Sequence, residues 1–188
     1  MAENTDLWQI ERDLTEQGIG IICGCDEAGA GPLAGPVYAA AVILPPYCQI
    51  EGLNDSKKLT EKKREALYEV ITQKAVCWAV ARMEAAEIDA TDILSARMKA
   101  MQQAMDALTI QPEIALIDGN RNQGIELQNE MVVHGDARSA SIAAASILAK
   151  VSRDRFMVEL AEQYPQYAFE KHKGYPTKLH YQLLRQYG

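Results

Sequence analysis

Two apolar runs, with an acidic pair and a glycine-rich loop between them, constrain this chain more than any other feature. Ile19 to Cys25 reads as a strand leading directly into Asp26-Glu27, and the loop Gly29-Ala30-Gly31-Pro32-Leu33-Ala34-Gly35-Pro36 follows. Val37 to Leu44 is a second apolar run, stopped by Pro45-Pro46. Short apolar runs bounded by glycine and proline are buried strands. Two in close succession predict an antiparallel start to a sheet.

Further along, Asn54 to Leu59 is a polar loop, and Thr60 can cap a helix whose Leu67, Val70, Ile71 and Lys74 share one face. Val76 to Met83 is a strand. Leu94, Met98, Met101, Met105 and Leu108 recur at helical spacing, a stripe expected to face the core. Ile114 to Ile117 is a short buried strand ending at Asp118-Gly119, and Met131 to His134 is another. From Ser139 to about Gln163 runs an Ala-rich helix with Ile142, Ser146, Ala149 and Arg153 roughly in register, and Thr177 can cap a last short helix. Early strands in succession and later strand–helix alternation predict an α/β fold, a mixed sheet flanked by helices. No repeat or linker divides the chain, so a single domain over 1–188 is expected, with its core over about 19–186.

Composition excludes some functions. Apolar residues make up 48% and charged residues 24%, as in a folded domain rather than a disordered one. No apolar run approaches the roughly 18 residues that span a bilayer. Met1 to Glu11 lacks the basic start and apolar block of a signal peptide, so the cytoplasm is expected. Cys23 and Cys25 share one face of a strand and, with Cys48 and Cys77, lack zinc-knuckle spacing; reduced core thiols are expected. The three histidines do not suggest a metal site. A net charge of −7 argues against nucleic acid until two basic patches are noticed: Lys57, Lys58, Lys62, Lys63 and Arg64, then Lys171, Lys173, Lys178 and Arg185. Local patches rather than bulk charge decide docking.

Four carboxylates stand at strand ends or beside turns: Asp26 and Glu27 after the first strand, Asp118 before Gly119, and Asp136 after Gly135. Strand ends on one edge of an α/β sheet are where ligands collect. Clustered carboxylates repel one another, and Mg²⁺ or Mn²⁺ offsets that repulsion while keeping positions open for water and phosphate. Two such ions about 4 Å apart suit phosphodiester hydrolysis. An Asp-Gly after a strand is also an ordinary turn, and spacing alone does not bring the four together.

The wording of the chain goes further. Cys25-Asp26-Glu27-Ala28-Gly29-Ala30-Gly31-Pro32-Leu33-Ala34-Gly35-Pro36 resembles the signature of ribonuclease HII. So do Leu53-Asn54-Asp55-Ser56-Lys57-Lys58-Leu59, Ile117-Asp118-Gly119-Asn120-Arg121, Gly135-Asp136 with the helix Ser141 to Val151, and His172-Lys173-Gly174-Tyr175-Pro176-Thr177. These blocks follow the family's order from Ile21 to His180. The resemblance implies a ribonuclease H-like fold and a metal-dependent endonuclease that cuts RNA–DNA hybrids and single ribonucleotides in duplex DNA. The products would carry 3′-hydroxyl and 5′-phosphate ends. It implies that Asp26, Glu27, Asp118 and Asp136 hold Mn²⁺ or Mg²⁺, two ions during catalysis. By the same resemblance Gly29, Ala30 and Gly31 read a ribose 2′-hydroxyl through the main chain, Tyr175 stacks on a sugar, and Lys57 approaches phosphate. A monomer is expected.

Plainer roles remain open: turn packing for Tyr175, a solvated charge for Lys57, close helix packing for Ala145 and Ser146, and a structural or rim place for His172. Two departures from the family pattern stand out. Ala30 replaces the usual arginine between the two glycines, and the chain stops at Gly188, where the family commonly continues into a basic segment. A catalytically weak or silent hybrid-binding protein of the same fold is therefore the alternative. The related ribonuclease HIII type usually carries an extra N-terminal domain, for which the residues before the first strand are expected to leave no room.

Overall fold

Residues 6–188 are described by a computed structural model. Five strands, β1 (Ile22–Ala28), β2 (Val37–Ile43), β3 (Cys77–Met83), β4 (Ile114–Asp118) and β5 (Asn129–Val132), form one sheet in the order β3-β2-β1-β4-β5. β1 to β3 are an antiparallel meander, whereas β1, β4 and β5 run parallel, as the order of elements predicts. The central strand β1 runs on past the expected Cys25. Asp26 and Glu27 are strand residues, held opposite Ala40 and Ala39 of β2. β5 starts before the expected Met131 and ends at Val132; His134, with φ 57, has left the extended region.

Alternation along β1 sorts its neighbours. Cys23 and Cys25 pack with Met98, Met101 and Met105 of helix α4 (Ile93–Asp106), the expected fate of the methionine stripe. All four cysteines are free, and burial pushes the Cys23 thiol up to about 12 and Cys25 well above its ordinary value. Gly24 points to the opposite face, where helix α5 (Ala140–Gln163) lies against it. A Cβ on Gly24 would stand 2.0 Å from the Ser141 carbonyl carbon, so no other residue fits there. Ala140, Ala143, Ala144, Ala145 and Ala149 are buried, and their small side chains admit this close approach of helix to sheet. Helix α2 (Glu61–Lys74), capped by Thr60 as expected, closes that layer through Leu67 and Ile71.

Helix α1 (Gln9–Glu16) was not indicated by the sequence pattern. Its Leu14 packs on Ile22 and Ile114, and its buried Glu11 caps α5 from outside. Glu11 Oε1 accepts from the Ser139 hydroxyl at 2.6 Å and the Ser141 amide at 3.0 Å, a favourable place for an acid at a helix N-terminus. The short helices α3 (Ala85–Ala90) and α6 (Phe169–His172), and α7 (Lys178–Tyr187) capped by Thr177, complete the chain. Among the described residues no helix is long and apolar enough to cross a membrane.

Candidate active site

β1 and β4 are in parallel register up to Cys25 opposite Ile117, so Asp26 and Asp118 follow side by side at the same edge. Strand alternation sends Asp26 toward α5 and Glu27 toward α4. The Ser146 hydroxyl of α5 accordingly supports Asp26, and Arg97 of α4 lies 3.1 Å from Glu27 Oε1. The turn after β5 brings in the fourth acid: the Gly135 amide donates to Asp118 Oδ1 at 2.7 Å, and Asp136 follows it.

Burial pushes the Asp26 carboxyl well above the carboxylate range, and repulsion from Glu27 and Asp118 adds to it. Burial also raises Glu27; Arg97 opposes the rise and Asp118 reinforces it. Asp136 is raised by burial, then by Asp118 and Asp55, with Lys57 opposing. Partial burial works against the charge on Lys57, yet Asp26, Asp136, Asp55 and Asp118 outweigh it and raise its pKa. The acids thus act on one another across one edge of the sheet.

Among the described residues, no three His, Cys, Asp or Glu side chains form a ready-made metal-ligand group. Two cations draw members of the cluster aside: Arg97 holds Glu27, and Lys57 lies 3.8 Å from Asp136 Oδ2. The donor set still suits a hard divalent cation, because all its side-chain donors are carboxylate oxygens. Glu27 Oε2 is moreover buried without any hydrogen-bond partner.

A groove of about 250 Å³ opens beside the acids, lined by Glu27, Gly29, Gly31, Lys57, Lys150 and Tyr175. The two loop glycines have different reasons to be glycine. Gly29 has φ 111, and a Cβ there would meet Arg153 Nε at 2.5 Å. Gly31 has nothing within 4 Å of its Cβ position, so packing does not demand it and its backbone is left open to close approach. Ala30 between them is exposed. Tyr175 presents its ring to the groove, with Lys150 Nζ 5.1 Å and Arg153 Cζ 5.7 Å from its centroid.

Several functional neighbours escaped sequence reading. Ser146 does more than permit helix packing: its hydroxyl shares a 2.8 Å hydrogen bond with the buried Ser56 hydroxyl, besides supporting Asp26. Arg153 is fully buried and donates to the carbonyls of Pro36 at 3.0 Å, Ala34 at 3.1 Å and Lys173 at 2.9 Å. Its register with Ile142, Ser146 and Ala149, all buried, was the available signal. Two cations counted in the basic patches are folded inward. Arg64 donates to the Ser56 and Leu59 carbonyls, and the Lys173 side chain is only 14% exposed. His172 is structural: Gly174 donates to its Nδ1, and its ring stacks on His180 with centroids 4.2 Å apart.

An antiparallel meander extended by two parallel strands, with acids at the shared edge and helices on both faces, defines a nuclease-type α/β domain of the ribonuclease H-like class. The ribonuclease H2 structure from Pyrococcus horikoshii OT3 superposes with a TM-score of 0.76 at 26% identity, over 89% of this chain and 87% of that one. A sequence model described as ribonuclease HII matches residues 23–188. The ribonuclease HII of Vibrio parahaemolyticus serotype O3:K6 is 56% identical over 172 residues, 92% of this chain and 82% of the relative. That of Caldicellulosiruptor bescii is 48% identical over 188 residues, 100% of this chain and 91% of the relative. The chain belongs to the ribonuclease HII family and is a ribonuclease H-type endonuclease. This family depends on divalent metal and acts on RNA–DNA hybrids.

Proposed function

We propose that this endonuclease cleaves RNA–DNA hybrids and single ribonucleotides embedded in duplex DNA, using Asp26, Glu27, Asp118 and Asp136 to hold Mn²⁺ or Mg²⁺. The observation that carries this reading is the buried carboxylate edge itself: Asp26, Glu27 and Asp136 are all raised, and Glu27 Oε2 has no partner. Such a cluster is unfavourable for folding and becomes useful when a cation offsets its charge. A pair of divalent ions, when bound, supplies water activation and stabilisation of the leaving 3′-oxygen.

The remaining residues position the substrate. The Gly29–Gly31 main chain, open at Gly31, is suited to contact a ribose 2′-hydroxyl, the group that distinguishes RNA from DNA. Tyr175 offers a face on which a sugar can rest, and Lys57 stands at the mouth with its side chain 78% exposed, suited to a phosphate. We infer a monomer working in the cytoplasm.

The test is cleavage, with MnCl₂, of a labelled DNA duplex containing one ribonucleotide. Products ending in 3′-hydroxyl and 5′-phosphate are expected. Binding without cleavage would favour a silent hybrid-binding protein.

A further inference from the structure

Arg97 has no part in the function proposed above. Its chain neighbours Ala96 and Met98 are buried in the core, yet its guanidinium reaches the end of β1. Arg97 Nη2 lies 3.1 Å from Glu27 Oε1, with the two side chains 24% and 12% exposed. The same nitrogen would stand 3.4 Å from a Cβ built on Gly119, so Arg97 occupies the notch between the ends of β1 and β4. Its Nε is buried without an acceptor, just as Glu27 Oε2 is buried without a donor. A guanidinium able to grip a carboxylate with two parallel bonds here engages one oxygen and leaves the other unclaimed.

We propose that Arg97 is a positioning residue of the metal site, a built-in counter-cation that holds Glu27 by Oε1 and leaves Oε2 for an incoming divalent ion. This role rests on the assignment of Glu27 to the metal-holding set. Before an ion binds, Arg97 offsets part of the repulsion among Glu27, Asp26 and Asp118. Once an ion arrives, the same positive charge opposes it across a short, poorly solvated distance. Arg97 therefore stabilises the ion-free protein and lowers the affinity of the site for metal.

The experiment is calorimetric titration of MnCl₂ into ion-stripped protein, with thermal unfolding in EDTA and in MnCl₂. Arg97→Met keeps an apolar stem and removes the charge. It should tighten the Kd for Mn²⁺ by about tenfold, lower Tm in EDTA, and enlarge the rise in Tm that Mn²⁺ produces. Arg97→Lys restores a positive charge and should return Kd to within about threefold of the parent. Unchanged or weaker Mn²⁺ binding by Arg97→Met overturns the proposal. Should that variant fail to fold, Arg97→Gln is read by the same criterion. Asp118→Asn in the parent background separates this question from the metal assignment. It should weaken Mn²⁺ binding whatever Arg97 does, and full affinity in that variant would remove the metal site itself.

Discussion

The main-chain amide of Gly135 donates a 2.7 Å hydrogen bond to Asp118 Oδ1, tying the end of β4 to the turn that carries Asp136. Asp118 therefore organises the carboxylate edge as well as being one of the acids proposed to hold metal. Asn at this position can still accept the Gly135 bond through its amide oxygen while losing the charge. Cleavage by Asp118→Asn should fall by about three or more orders of magnitude with the fold retained. Circular dichroism and steady-state cleavage in parallel are the check, and near-normal turnover would refute the assignment.

The raised carboxyls set a pH dependence of stability. A folded-state pKa above the unfolded value means that the folded chain keeps protons the unfolded chain has released. The contribution of Asp26, Glu27 and Asp136 is thus fully present below the unfolded pKa near 4 and is lost as pH rises through their folded values. In EDTA, Tm of the parent should decline relative to Asp26→Asn as pH rises above the unfolded pKa near 4. MnCl₂ should reverse the order of the two proteins at the upper end. Parallel Tm curves across that range would show that the cluster does not titrate as described.

Lys57 should report on the path of the duplex. Its side chain is exposed, and its nearest acidic partner is Asp136 at 3.8 Å. Charge reversal by Lys57→Glu should flatten the log–log salt dependence of binding by about one unit. Fluorescence anisotropy between low and moderate salt is sufficient, and an unchanged slope would place Lys57 off that path.

Ala30 offers a gain-of-function test. It is exposed between Gly29 and Gly31 and lines the groove with Lys57 and Tyr175, so a longer side chain has room. Its amide persists, which leaves main-chain contact intact. A guanidinium there could add charge-assisted bonds to phosphate or ribose, and Ala30→Arg should raise kcat/KM on a single embedded ribonucleotide by about ten- to a hundredfold. The gain should be smaller on long hybrids, where many other contacts share the binding. No change on either substrate would mean that another residue already fills this role.

The strands and the longer helices were legible because their signals are local. Apolar runs such as Val37–Ile43 and the spacing of Met98, Met101 and Met105 are readable within one element. The first helix was not, because Gln9–Glu16 is mostly polar and its main contribution, the Glu11 cap on Ser139 and Ser141, comes from far along the chain. The acids were legible as types at strand ends. Their order along the edge was not, since it depends on the parallel register of β1 with β4 and on the Gly135 bond. Arg97 and Arg64 show the limit most clearly: both are cations in helices, and only packing decides that one reaches Glu27 while the other turns in to the Ser56 and Leu59 carbonyls.

The bonds made by Arg153 bear on how the groove can respond to what enters it. One buried planar group holds the Ala34 and Pro36 carbonyls of the glycine loop and the Lys173 carbonyl, two residues before Tyr175. Both walls are pinned to the same rod, a 24-residue helix whose N-terminal half is wedged against the central strand. Their separation is set by the reach of a single rigid fork rather than by the slack of either loop. Anything that enters meets a gauge already cut to size, and exchanging one wall without the helix that anchors it would change the measure of the other.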